Sequence, residues 1–195
     1  MVCGYRIIIV PMKVIAGEAK GRPLKVPKNT RTRPATELVR GSIFSILDSL
    51  GWGRGRVLDL FSGSGSLGIE ALSRGAEWVD FVENDPRCCA IIKQNLDTTG
   101  FEDQAHVYCL DVLKAISYLN GEYSLVLMDP PYSSQEIDRA LEDLASSPLI
   151  GVQTVVVVTH SAKRQLRSSY GKIRCLRGYR HGDSMIALYK ERGAE

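Results

Sequence analysis

The sequence predicts an α/β fold in which a mostly parallel sheet carries helices on both faces, and three observations predict it. From about Arg54 onward, short apolar runs alternate with amphipathic stretches, the mark of repeated strand-helix units. A glycine-rich turn, Gly63 to Gly68, directly follows the first run and opens a helix. The last two apolar runs are separated only by turn residues, which closes the sheet with an antiparallel hairpin.

Taken in order, residues 14–26 alternate in polarity around Gly17 and Gly21 and read as a small β-hairpin. Residues 36–50 follow as an amphipathic helix, with Leu38, Val39, Ile43, Phe44, Ile46, Leu47 and Leu50 at helical spacing. Strands are expected at 57–61, 79–83, 105–110, 125–129 and 152–159, with helices between them at 66–74, 86–98, 112–119 and 135–146. Asp85 before Pro86 supplies an N-cap and a first-turn proline. The closing hairpin is expected from 173–176 and 185–189, joined by Arg180-His181-Gly182-Asp183, which brings the count to seven strands.

The 195 residues, 44% hydrophobic and 24% charged, suit one soluble globular core. Residues 1–36 are an N-terminal extension and 37–195 the main domain. The apolar patch at 7–12 is too short to span a bilayer and is interrupted by Pro11 and Lys13, so no membrane segment is expected. Five cysteines, at 3, 88, 89, 109 and 175, lack the spacing of a zinc site or a disulfide framework and point to a reducing, cytoplasmic compartment. His106, His160 and His181 show no metal spacing either, and no metal is expected.

The net charge of +3 is unevenly spread. Lys13, Lys20, Arg22, Lys25, Lys28, Arg31, Arg33 and Arg40 face only Glu18 and Glu37 in the lead-in, a basic arm drawn to a polyanion such as nucleic acid. Arg164, Arg167, Arg174, Arg177 and Arg180 make the C-terminal part basic as well, either as more of that surface or as an ordinary solvated face.

The turn Asp59-Leu60-Phe61-Ser62-Gly63-Ser64-Gly65 places unhindered backbone N-H groups at the carboxyl end of the sheet. Gly63, Gly65 and Gly68 form a G-x-G-x-x-G pattern, which by itself also fits a dinucleotide site. Two acids argue against a nicotinamide cofactor. Asp59, inside the first strand, would sit beside a pyrophosphate and repel it, whereas it suits the ammonium and sulfonium of S-adenosyl-L-methionine. Glu83, ending the next strand beside Asn84, suits ribose hydroxyls. Asp111, before Val112, is either a partner for an adenine amino group or a helix N-cap.

Asp129-Pro130-Pro131-Tyr132 ends a buried strand in a proline-stiffened turn at the same edge. The exocyclic nitrogen of a nucleobase is conjugated with its ring and is a poor nucleophile. The Asp129 carboxylate and the Pro130 carbonyl can accept its N-H bonds and aim its lone pair at a methyl donor, with Tyr132 stacked on the extruded base.

These two motifs together resemble the amino-methyltransferases of nucleic acids. Ile15-Ala16-Gly17-Glu18-Ala19-Lys20-Gly21-Arg22-Pro23-Leu24, Thr32-Arg33-Pro34-Ala35-Thr36 and Val39-Arg40 resemble the RsmD family, which methylates the guanine amino group in 16S rRNA. The resemblance covers residues 14–189. It implies a Rossmann-like, seven-stranded class I methyltransferase sheet with a small RNA-contacting N-terminal hairpin, and a monomer acting on 16S rRNA within a small-subunit particle. By position, Arg33, Pro34 and Thr36 would border the cofactor, and Lys20, Arg22, Lys25, Lys28 and Arg31 would meet RNA. Gly41 departs from the pattern, which usually has glutamate there. Two rivals stay open: an adenine amino-methyltransferase acting on DNA or other RNA, and a catalytically silent RNA-binding ribosome-assembly factor.

Overall fold

Residues 12–27, 36–131 and 136–191 are described by a computed structural model. The elements are α1 (Glu37–Ser49), β1 (Arg56–Leu60), α2 (Ser66–Ser73), β2 (Trp78–Glu83), α3 (Pro86–Thr99), β3 (Ala105–Cys109), α4 (Val112–Tyr118), β4 (Tyr123–Met128), α5 (Ile137–Ser146), β5 (Ile150–Ser161), β6 (Ser169–Tyr170), β7 (Ile173–His181) and β8 (Ser184–Glu191). They build one sheet in the order β3-β2-β1-β4-β5-β8-β7-β6. The first five strands run parallel, and β8 returns antiparallel to β5.

The chain winds outward from β1 to β3, then crosses back to place β4 on the other side of β1. That reversal opens a crevice at the carboxyl ends of β1 and β4, the position where open α/β sheets bind ligands. Valine, leucine and phenylalanine fill β1, β2 and β4 because both faces of these strands are covered. Helices α1, α2 and α3 bury Phe44, Leu47, Leu67, Ile69 and Ile92 against one face. Helices α4 and α5 bury Val112, Ile116, Leu141 and Leu144 against the other.

Two departures from expectation concern the far edge. An eighth strand, β6, pairs only Ser169 and Tyr170 with Arg174 and Ile173, and a two-residue strand leaves no periodic signal. Strand β7 continues to His181 rather than stopping near 176, because its exposed arginines at 174, 177 and 180 hide the apolar alternation of a half-buried strand.

The expected N-terminal hairpin is a turn-rich loop closed by one bridge, Lys13 to Pro23, rather than a two-stranded ribbon. Val14, Ala19 and Leu24 are buried in the α1–α3 side of the core. The loop's backbone is satisfied by helix side chains instead of a partner strand: Glu70 accepts the N-H groups of Ile15 and Ala16 at 2.8 and 3.0 Å. Ser73 Oγ accepts Ala19 N-H at 3.0 Å and donates to the Ala16 carbonyl at 2.6 Å. Arg40, buried on α1, donates to the Lys13 carbonyl at 2.8 Å and lies 3.8 Å from the Glu70 carboxylate, which also takes Arg74 Nε at 2.9 Å.

Candidate active site at the carboxyl edge

Strand β1 ends in backbone that few residues adopt. Phe61 has φ 59°, and Gly63 and Gly65 follow at 55° and 76°, the left-handed region that favours glycine. The Ser62 hydroxyl donates to the carbonyls of Asp59 and Val82 and accepts Val82 N-H at 3.0 Å, so it staples the ends of β1 and β2 together. Gly65 stands at the N-cap of α2 and has no side chain to cap it, so the first-turn N-H groups need acceptors from elsewhere. Gly68 lets α2 lie against β2, since a Cβ there would stand 2.3 Å from the Phe81 ring.

Both predicted acids hold this turn. Asp59 accepts Gly68 N-H at 2.9 Å. Glu83 accepts Gly63 N-H at 2.8 Å through one oxygen and the N-H groups of Asn84 and Asp85 at 2.8 and 2.9 Å through the other. Asp59 is 1% exposed, and its second oxygen is buried without a hydrogen-bond partner among the described residues. Burial above all, with Asp129 and Glu83 adding negative charge, pushes its carboxyl up to about 8 against the pull of the Gly68 amide.

Leu60 pairs with Met128, so the glycine turn and Asp129 leave neighbouring strands side by side. Thr159, buried at the end of β5, donates its hydroxyl to Asp129 Oδ1. Pro130 is buried and Pro131 half-buried. At the end of β3, Asp111 caps α4 through Leu113 and Lys114 N-H at 3.0 and 3.2 Å, and Val112 is buried in the first turn.

The family described as Conserved hypothetical protein 95 matches residues 12–190. "Putative rRNA methyltransferase YlbH" of Bacillus subtilis (strain 168) is 37% identical over 185 residues, 93% of this chain and 100% of that protein. Ribosomal RNA small subunit methyltransferase D of Escherichia coli (strain K12) is 32% identical over 156 residues, 74% of this chain and 75% of that one. The chain belongs to the RsmD family. Its fold is that of methyltransferases: a solved Escherichia coli structure described as "Putative methyltransferase yhhF" superposes with a TM-score of 0.81 at 25% identity, covering 93% of this chain and 98% of that one.

In this RsmD-family chain the residues expected at the site divide into four groups. Asp59, Phe61, Ser62, Gly63, Gly65, Glu83, Asn84, Asp111, Val112, Asp129, Pro130 and Pro131 all sit at the carboxyl ends of β1 to β4. Thr36 caps α1, its hydroxyl accepting Val39 N-H at 3.3 Å. Arg22 donates to the Thr98 carbonyl at 2.8 Å, Lys25 Nζ donates to Gln94 at 2.9 Å, and Lys20 is exposed on the same loop. Lys28, Arg31, Arg33, Pro34 and Tyr132 lie outside the described residues.

Two residues of the site carry no motif and were not legible. Asn95 on α3, fully buried, donates to the carbonyls of Ser64 and Lys25 at 2.9 Å each and accepts Lys25 N-H at 2.8 Å, joining the glycine turn to the basic loop. Thr159 is the other, reached only through the alignment of β4 with β5.

Proposed function

We propose that this chain transfers a methyl group from S-adenosyl-L-methionine to the exocyclic amino group of a guanine in 16S rRNA. The observation that carries the reading is the Leu60–Met128 pairing, which sets the cofactor-type turn beside Asp129-Pro130-Pro131. The acidic groups of Asp59, Glu83 and Asp129 crowd one edge, and the buried Asp59 oxygen that has no partner among the described residues suits a cationic zwitterion. Gly63, Gly65, Glu83 and Asp111 would hold that cofactor, which supplies an electrophilic methyl on sulfur.

The remaining chemistry belongs to the protein. Asp129 and the Pro130 carbonyl accept the two amino hydrogens and turn the nitrogen lone pair toward the methyl carbon. With that cofactor bound, transfer would form the carbon-nitrogen bond and break the carbon-sulfur bond, and Asp129 or water would take the proton that the nitrogen sheds. Thr159 fixes the rotamer of Asp129. Tyr132 stacks on the base, Arg33, Pro34 and Thr36 border the cofactor, and Lys20, Arg22, Lys25, Lys28 and Arg31 meet RNA. The substrate is 16S rRNA within a small-subunit particle in the cytoplasm, and the enzyme works as a monomer without a metal. No described helix is long and apolar enough to cross a membrane.

The test is methyl incorporation from labelled cofactor into small-subunit particles from cells lacking the endogenous activity, read by nucleoside mass spectrometry. N2-methylguanosine is expected, with Asp129→Ala abolishing it while cofactor binding survives. Methyladenosine would replace the guanine assignment with the adenine one. No incorporation into any nucleic acid would leave a silent assembly factor.

A further inference from the structure

The C-terminal arginines fall into two sets. Those facing α5 are neutralised: Arg164 pairs with Asp138 at 2.6 Å, Arg167 with Glu142 at 2.6 Å. Arg174, Arg177 and Arg180 on β7 are exposed and form no ion pair with a carboxylate among the described residues.

The register places two of these on the α1 side of the sheet, the side on which Asp129 lies. Arg177 lies opposite Leu188, and Arg174 opposite Lys190, which in turn faces Val155. Leu188 and Val155 belong to the α1 side of the core. On the same face Asp129 meets Thr159, Thr159 pairs with Ile186, and Ile186 pairs with Tyr179. Three strand spacings put Tyr179 about 14 Å from Asp129 along one row of the sheet.

Beside Tyr179 and His181 runs a groove of about 600 Å³, floored by Gly41, Ser42, Ser45 and Ile46 of α1 and flanked by the exposed Leu38, with Glu37 as its one carboxylate. A Cβ on Gly41 would meet nothing within 4 Å, so the floor is open there. The β7–β8 turn lies at the carboxyl end of β5, because Ser184 pairs with both Ser161 and His181. Tyr179 and His181 of the groove therefore lie level with the carboxyl end of β5. Arginines and the bulge at Cys175/Arg177 also protect an open sheet edge from pairing. Edge protection does not account for a groove with Tyr179 on the row of Asp129.

We propose that the α1 side of β7, with this groove, is a docking track for the unpaired RNA flanking the target nucleotide. Arg174, Arg177 and Lys190 contact phosphates, and Tyr179 stacks on a neighbouring base. The inference rests on the assignment of RNA as substrate and adds a second contact region, separate from the 14–26 loop.

The test compares the full chain with Arg174→Glu/Arg177→Glu, using a fluorescent single-stranded RNA oligonucleotide over a salt series and, separately, small-subunit particles. Losing two phosphate contacts flattens the slope of log K against log salt by about 1.4 and weakens binding roughly 25-fold at 0.1 M salt. Arg167→Gln, which alters a residue already paired with Glu142, leaves the slope unchanged. Cofactor affinity stays the same in both variants, and the thermal midpoint stays the same in the double variant. An unchanged slope in the double variant overturns the proposal. So does loss of particle methylation with oligonucleotide affinity intact, which would assign the face to a ribosomal protein. Wild-type protein that binds RNA with this salt dependence but methylates nothing would refute the catalytic reading and leave the track standing.

Discussion

Cofactor binding should release a proton, and Asp59 is the reason. Its carboxyl is held at about 8 by burial and by the charges of Asp129 and Glu83, against an unfolded value of 3.8. A cationic ligand at this edge favours the ionised form. At pH 6, two units below the folded-state value, only about 1% of the free protein carries ionised Asp59, which costs binding about 2.7 kcal/mol. The dissociation constant for S-adenosyl-L-methionine should therefore tighten about 50-fold from pH 6 to pH 8, where half of the free protein carries the ionised form. Calorimetry at pH 7 in buffers of different ionisation heat should show about 0.9 proton released per ligand. Asp59→Asn keeps an acceptor for Gly68 N-H and flattens both dependences. The same shift has a stability sign. The folded-state value lies above the unfolded one, so its contribution is fully present below about pH 4 and is lost as the pH rises towards 8. The ligand-free protein should lose thermal stability across that window. Wild-type affinity that is flat between pH 6 and 8, with no proton released, would refute the reasoning.

Two further outcomes follow from buried polar contacts. Glu70→Ala leaves Arg40 in the core without its counter-charge and strips the Ile15 and Ala16 amides of their acceptor, so urea denaturation should show a loss of about 3–5 kcal/mol. A loss under 1 kcal/mol would mean that the network is solvated. Thr159→Val removes a hydrogen bond to a charged carboxylate, a loss of about 1.5–3 kcal/mol, and should lower kcat roughly 10- to 100-fold with little change in KM for RNA, while Thr159→Ser restores most of it.

The parts of this protein that could be read from sequence are those whose signal is local. Strand β1 and helix α2 match their expected bounds to within a residue because the run 57–61 leads into glycines that only a turn explains. Helix α3 was marked by Asp85 and Pro86, and the cap is there, accepting Arg87 N-H at 2.9 Å. Strand β7 was read short because a strand exposed on one face shows its pattern only when its polar positions are few. Buried polar residues were the least legible. Glu70 looks like an ordinary helix-surface residue, and Asn95, at helical spacing with Ile92 and Leu96 on the face that covers the sheet, shows nothing of its partners; both are 0% exposed, with the 14–26 loop folded over them. Glu83 was expected to serve the ribose, and the fold also gives it three backbone amides to hold, which no linear spacing reveals.

That loop has a consequence for the order of assembly. Its anchors lie far along the chain: Ile15 reaches Glu70 across 55 positions, and Lys25 reaches Asn95 across 70. At about 5–20 residues per second, Asn95 is synthesised roughly 4–14 s after Lys25. Until α2 and α3 have emerged and settled on β1 and β2, Val14, Ala19 and Leu24 have no apolar surface of their own to cover them. The residues made early are thus fastened late, and the glycine turn gains its Asn95 tie to the loop only once that fastening is complete.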